Sequence, residues 1–146
     1  MKAVVTRVSS GKVVVADRIV AAIKNGLAIF VGLEKGDTIA ALTEIADKIA
    51  NLRIFEDADG KLQFSVKDKN SEVLCVSNFT LSADLSSGRR PSFDRAMPKA
   101  EAQKTFEDFC VLLRAQGLVV RTGEFGARMD IDLVMDGPVN IIVDRR

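Results

Sequence analysis

The chain has 146 residues, 47% of them hydrophobic and 28% charged, with a net charge of +1. That is the balance of a single soluble globular domain with an adequate core, and it excludes a broadly basic nucleic-acid binder while leaving room for one local basic patch. There is no histidine, which excludes Ser-His and Cys-His nucleophilic pairs and any histidine-ligated metal.

In chain order, residues 3–8 and 12–15 read as two strands around a Ser9-Ser10-Gly11 turn. A third apolar run, 18–23, leads into Lys24-Asn25-Gly26, and Asn-Gly between two apolar runs is the signature of a tight hairpin. The strand that follows, 27–33, is apolar throughout and reads as central. Asp37 or Thr38 caps a helix whose inward face is Ile39, Leu42, Ile45, Ala46 and Ile49, with Glu44 and Lys48 paired on the outer face. Arg53-Ile54-Phe55 is a short strand and 57–60 a turn; the turn lacks the ligand pattern and closing glutamate of a calcium loop. Residues 72–76 form a strand buried on both faces. Pro98 opens a second helix, with Ala102, Phe106, Phe109 and Leu113 inward and Gly117 ending it. Residues 118–121, 129–133 and 141–143 are strands, the middle one alternating cleanly. The sum is an α+β fold: a curved, barrel-like, mostly antiparallel sheet with two main helices in one domain, residues 1–146.

No apolar run approaches the roughly 20 residues of a membrane span, and the N-terminus reads as a first strand, not as a signal peptide. These features predict a cytoplasmic protein. Cys75 and Cys110 lie far apart in apolar contexts and are expected as buried free thiols.

Chemistry concentrates where the buried strand ends, at Ser77-Asn78-Phe79-Thr80-Leu81. Two hydroxyls and an amide around one aromatic ring either satisfy backbone groups at a strand end or form a site held by a rigid element. The loop 86–93 carries the adjacent pair Arg89 and Arg90, which reads as a solvated pair or as a phosphate contact. Gly137-Pro138 is either a tight turn or a rigid wall, since proline fixes φ and an X-Pro bond can be cis.

Taken together, these stretches resemble the D-aminoacyl-tRNA deacylases (D-tyrosyl-tRNA deacylases) over essentially the whole chain. The resemblance runs through residues 1–9, 32–37, 51–57, 88–93 and 122–129. The two signature motifs occur in order at 77–81 and 136–139. It implies a homodimer of barrel-like subunits that hydrolyses the ester between a D-amino acid and the 3′ adenosine of tRNA; the absence of histidine and the two separated cysteines lead us to expect no metal or other cofactor. It further implies that Gly137-Pro138 is cis and reaches into the partner's pocket as a chiral filter. Ser77, Asn78, Phe79 and Thr80 would line the facing wall, Arg7 would hold the Gly-Pro loop, and Phe125 and Met129 would sit near the terminal adenosine. Arg89 and Arg90 become candidates for acceptor-stem phosphates.

An aminoacyl ester is already activated, so orientation and oxyanion donors from the backbone amides of 78–80 can supply much of the catalysis. Thr80 has no histidine to activate it. The adenosine 2′-hydroxyl activating water, with Thr80 positioning, is the mechanism this composition favours. A steric wall of backbone rejects L side chains whatever their identity but not glycine, so glycyl-tRNA is a second expected substrate. Three positions depart from the family pattern: Asn78 where glutamine is usual, Met135 where asparagine is, and Asn140 where threonine is. They define the competing hypothesis, a non-catalytic paralogue that binds RNA ends or another protein. A general small-ester hydrolase on the same scaffold is a third.

Overall fold

The structure is a computed structural model and describes residues 1–145. Its organising element is β1 (Lys2–Val15), a single 14-residue strand. The expected break at 9–11 is absent, because Gly11 serves packing, not turning. A Cβ there would come within 3.0 Å of Leu133 Cδ2 and 3.2 Å of Leu74 Cδ2. The reversal falls at Ala16 and Asp17, which take φ of +47° and +62°, the double positive φ of a two-residue hairpin turn.

β2 (Arg18–Ile23) and β3 (Gly26–Gly32) then run antiparallel to β1 one after the other, β2 opposite residues 11–15 and β3 opposite residues 2–8. The Asn25-Gly26 hairpin is therefore a misreading: the pair marks a bend between two collinear strands. Gly26 is required for a different reason. β6 (Glu72–Ser77) starts parallel to β3 at this residue, and a Cβ would sit 1.9 Å from the Glu72 carbonyl oxygen.

β7 (Val119–Thr122) extends the sheet in parallel beyond β6, and β8 (Asp130–Asp144) lies antiparallel along the other side of β1. The pairing is thus antiparallel around β1 and parallel from β3 to β7. The outer strands β2 and β7 approach without pairing, so the sheet curls into a nearly closed barrel. β4 (Phe55–Glu56) and β5 (Leu62–Phe64) form a small separate hairpin.

Side-chain alternation along the central strands divides the core in two. Leu27, Ile29, Val31, Val73 and Cys75 pack with the helices α1 (Ile39–Asn51) and α2 (Lys99–Ala115); Ala28, Leu74 and Val76 face the barrel interior with Val8, Val13 and Ile23. This two-sided burial is why β3 and β6 read as continuous apolar runs. Thr38 caps α1, its side chain accepting from the Ala41 amide. Asp37 instead takes the N-terminal ammonium at 2.6 Å and the Glu34 amide at 2.7 Å. Ile39, expected inward, is 62% exposed because it opens the helix before the packed stripe begins. Glu44 pairs with Arg145 at 2.5 Å, outside the helix. Pro98 precedes α2, and Phe106, Phe109, Cys110 and Leu113 are its buried face. No helix among the described residues is long and apolar enough to cross a membrane.

Candidate active site

The centre of the sheet delivers the motif. β6 leaves β3 at Asn78, whose amide donates to the Val31 carbonyl at 2.7 Å. The chain then closes into a short 3-10 helix, Phe79–Ser82. Asn78 caps it, its Oδ1 accepting from the Thr80 amide at 3.2 Å and from the Thr80 hydroxyl at 2.5 Å, which is the local side-chain capping expected of asparagine. The turn lies directly against β3. A Cβ on Gly32 would come within 2.7 Å of Leu81 Cβ, so glycine is what lets the two segments meet.

This geometry narrows the expected oxyanion donors. Of the amides of residues 78–80, the first is spent on Val31 and the third on Asn78 Oδ1. The Phe79 amide is the one with no protein acceptor among the described residues. Thr80 donates its proton to a neutral amide oxygen, which is no base, so nothing among the described residues activates it as a nucleophile.

Beside this turn opens a cavity of about 610 Å³, within the range of small-molecule sites. Ser77, Asn78 and Phe79 form one wall, and Phe125 and Met129 contribute to the other, so five residues singled out in the sequence come together. Phe125 packs on Phe106 of α2, with ring centroids 6.1 Å apart. Met129 lies so close over Gly123 that a Cβ there would sit 2.7 Å from its sulfur. The cavity also takes in Phe30, Met97, Lys99 and Ala102, which sequence reasoning assigned to core or left unremarked. The alternation of β3 already aims Phe30 into the barrel, and that signal was available. A lysine at a helix start carries no comparable signal.

Thr80 is exposed at the rim and does not line the cavity. Phe79 is 59% exposed, its ring edge-on to Phe93 at 5.0 Å. That contact anchors the arginine loop, which is closed by the paired backbones of Asp84 and Ser92 (2.8 and 2.9 Å). Ser86 donates to Asp84 first from its backbone and then from its side chain, holding that carboxyl below the usual range. Arg89 and Arg90 project from the loop, exposed and without ion pairs among the described residues.

Gly137-Pro138 is on the same chain but not in the same cavity. The register of β8 against β1 slips between Thr6↔Asn140 and Val8↔Met135, so residues 136–139 bulge out opposite Arg7. The Gly137–Pro138 bond is cis. Gly137 has φ +133°, and a Cβ would sit 2.6 Å from the Val139 nitrogen, so no other residue fits. Arg7 is 4% exposed. It donates from Nη1 to the Ile54 carbonyl (2.7 Å), from Nη2 to Glu56 (3.2 Å) and from Nε to both Asp136 Oδ2 (3.1 Å) and the Asp136 carbonyl (3.3 Å). It thus ties the bulge to the β4 region, around a separate depression of about 410 Å³ that includes Lys69.

The departures find partners here. Asn140 accepts from the Thr6 hydroxyl at 2.8 Å, closing the base of the bulge. Met135 pairs with Val8 and is 48% exposed. Cys75 and Cys110 are buried and unbridged. Contact with the Cys110 thiol, and then burial, pushes the Cys75 thiol well up, so it is held as an inert thiol two residues from Ser77.

Fold and site together define a barrel-like α+β protein with a histidine-free polar wall at the end of a buried strand. The family model for D-Tyr-tRNA(Tyr) deacylase matches residues 4–144. The chain is 53% identical over 144 residues to a D-aminoacyl-tRNA deacylase of Thermotoga petrophila, covering 99% of this chain and 97% of the relative. It is 48% identical to one of Brevibacillus brevis, covering 99% of each. The solved structure of a c-Myc DNA Unwinding Element Binding Protein superposes with a TM-score of 0.93 at 39% identity, covering 100% of this chain and 99% of the other. The chain belongs to the D-aminoacyl-tRNA deacylase family and is, with it, a hydrolase.

Proposed function

We propose that this chain hydrolyses the ester joining a D-amino acid, or glycine, to the 3′ adenosine of tRNA, as a cytoplasmic homodimer in which each subunit's Gly137-Pro138 completes the other's pocket. The observation that carries the reading is the disposition of the two motifs. The cavity has its polar wall at Ser77 and Asn78, while the Gly137-Pro138 bulge is presented outward, away from its own cavity and fixed by Arg7. A rigid element aimed away from the site it is meant to shape has a use if it shapes another copy's. Apolar side chains on the same strand, Val134, Met135 and Ile142, are 59%, 48% and 71% exposed, which supports a covered surface there.

In this reading Phe125 and Met129 hold the adenosine, Ser77 and Asn78 face the ester, and the Phe79 amide donates to the oxyanion as water adds to the carbonyl. The 2′-hydroxyl of the adenosine, not Thr80, assists the water. Thr80 fixes Asn78 and with it the turn that aims the Phe79 amide. Arg89 and Arg90 lie where a positive loop beside the cavity suits the phosphates of the acceptor stem.

The test is deacylation of matched D-, L- and glycyl-tRNA by wild type and Pro138→Ala, with sedimentation to fix the oligomeric state. Loss of the D and glycyl esters with L spared, and erosion of that selectivity in the variant, is the expected result. A monomer with full selectivity would remove the cross-subunit wall. Absence of turnover with RNA binding retained would leave a binding paralogue.

A further inference from the structure

Among the residues lining the 610 Å³ cavity, one carries a charge: Lys99, the first residue of α2. Its side chain passes over Gly126, where an added Cβ would lie 3.0 Å from Cε and 3.2 Å from Nζ. The lysine is exposed and has no carboxylate partner among the described residues, and Glu101, two residues further along the same helix, is not spaced to face it. Gly126 takes φ +75° in the loop that brings in Phe125 and Ala127, so this loop puts an unneutralised ammonium and the adenosine-side wall at one end of the pocket. The cavity is otherwise lined by neutral residues, so a ligand seated there meets a cation at this one place.

Resting on the functional reading above, we propose that Lys99 is a positioning residue that binds the phosphate on the 5′ side of the terminal adenosine. Any substrate that enters as the 3′ end of RNA carries that phosphate one ribose away from the ester. A nucleoside ester without it, or a free amino acid ester, does not. The ammonium therefore distinguishes an RNA end from a small ester and fixes the depth to which the adenosine enters, while making no contact with the reacting atoms. Lysine suits the task, because a flexible point charge accommodates a phosphate without demanding bidentate geometry.

The experiment pairs two non-hydrolysable ligands, 3′-D-alanylamino-3′-deoxyadenosine and its 5′-phosphate, with wild type, Lys99→Ala and Lys99→Arg of the full chain. Binding is measured by calorimetry and kcat/KM on D-alanyl-tRNA in parallel. Wild type is expected to favour the phosphorylated ligand by about tenfold, the worth of one charge-assisted hydrogen bond. Lys99→Ala should abolish that preference without changing affinity for the unphosphorylated ligand, and should raise KM with kcat little changed; Lys99→Arg should restore most of both. Equal weakening of both ligands in Lys99→Ala would assign Lys99 to pocket shape, and no change in either would make it a solvated rim lysine; each overturns the proposal. Wild type that binds neither ligand and spares D-alanyl-tRNA would sink the functional reading itself, and the proposal with it.

Discussion

Arg7→Met is the perturbation that separates holding the Gly-Pro bulge from merely filling space. Methionine keeps much of the apolar stem in its buried position and removes the guanidinium. The Ile54 carbonyl, buried and bonded at 2.7 Å, loses a charge-assisted hydrogen bond worth about 1.5–3 kcal/mol. Glu56 and Asp136 are each half exposed and rehydrate, so their ion pairs add at most about 1 kcal/mol apiece. The sum is a destabilisation of about 3 kcal/mol, readable by urea denaturation as a lowered midpoint at unchanged slope. Activity should split: D-aminoacyl-tRNA is still hydrolysed by the fraction that is folded, while L-aminoacyl-tRNA begins to be cleaved because the bulge has lost its tether. A loss of less than 1 kcal/mol, or full L-rejection in a variant destabilised as expected, would refute the argument that Arg7 sets the bulge.

Thr80→Ala should retain most of the deacylation rate, because the hydroxyl gives its proton to the Asn78 amide oxygen and to no base among the described residues; a trapped acyl-Thr80 in wild type would overturn that assignment. Asp68, like Asp84, is a local contributor to the pH dependence of stability, its carboxyl held below the ordinary 3.8 by hydrogen bonds from the Ser65 backbone and then its side chain. A depressed folded value means that the unfolded chain binds more protons, so this stabilisation is present above 3.8 and is lost as pH falls below it. Thermal denaturation between pH 6 and 3 should show a steeper acid loss for wild type than for Asp68→Asn, and parallel curves would remove Asp68 from the account.

How legible the chain was depended on whether a residue's reason was local. The helices and buried strands were readable because period and propensity act along the chain: Leu42, Ile45 and Ile49 mark α1, and β3 and β6 are apolar on both faces. Glycines misled where their reason was tertiary. Gly11 and Gly26 resembled turn residues, but each is required because another segment approaches too closely for a Cβ. The turn at Ala16-Asp17 carried no glycine and went unseen. At the site, the polar residues at the end of β6 were visible as an interruption in an apolar run. Met97 and Lys99 were not, since only the tertiary fold brings them to the same cavity, whereas the alternation of β3 already pointed Phe30 into the barrel.

The three departures from the family pattern weigh differently once their contacts are known. A paralogue drifting from catalysis would be expected to leave altered side chains without partners, since nothing would hold them to a role. Asn78 instead caps the turn through two hydrogen bonds to Thr80, and Asn140 accepts from Thr6 at the base of the bulge. In the proposed reading both side chains fix backbone that matters: Asn78 the turn that carries the Phe79 amide, Asn140 the closure of residues 136–139. Met135 loses polarity on an exposed position of β8 beside that bulge. On this strand an added apolar side chain favours a covered surface over solvent, so it supports association of two copies more than loss of function. Asn78 and Asn140 are each held by hydrogen bonds of their own, which favours an active deacylase over a drifting paralogue.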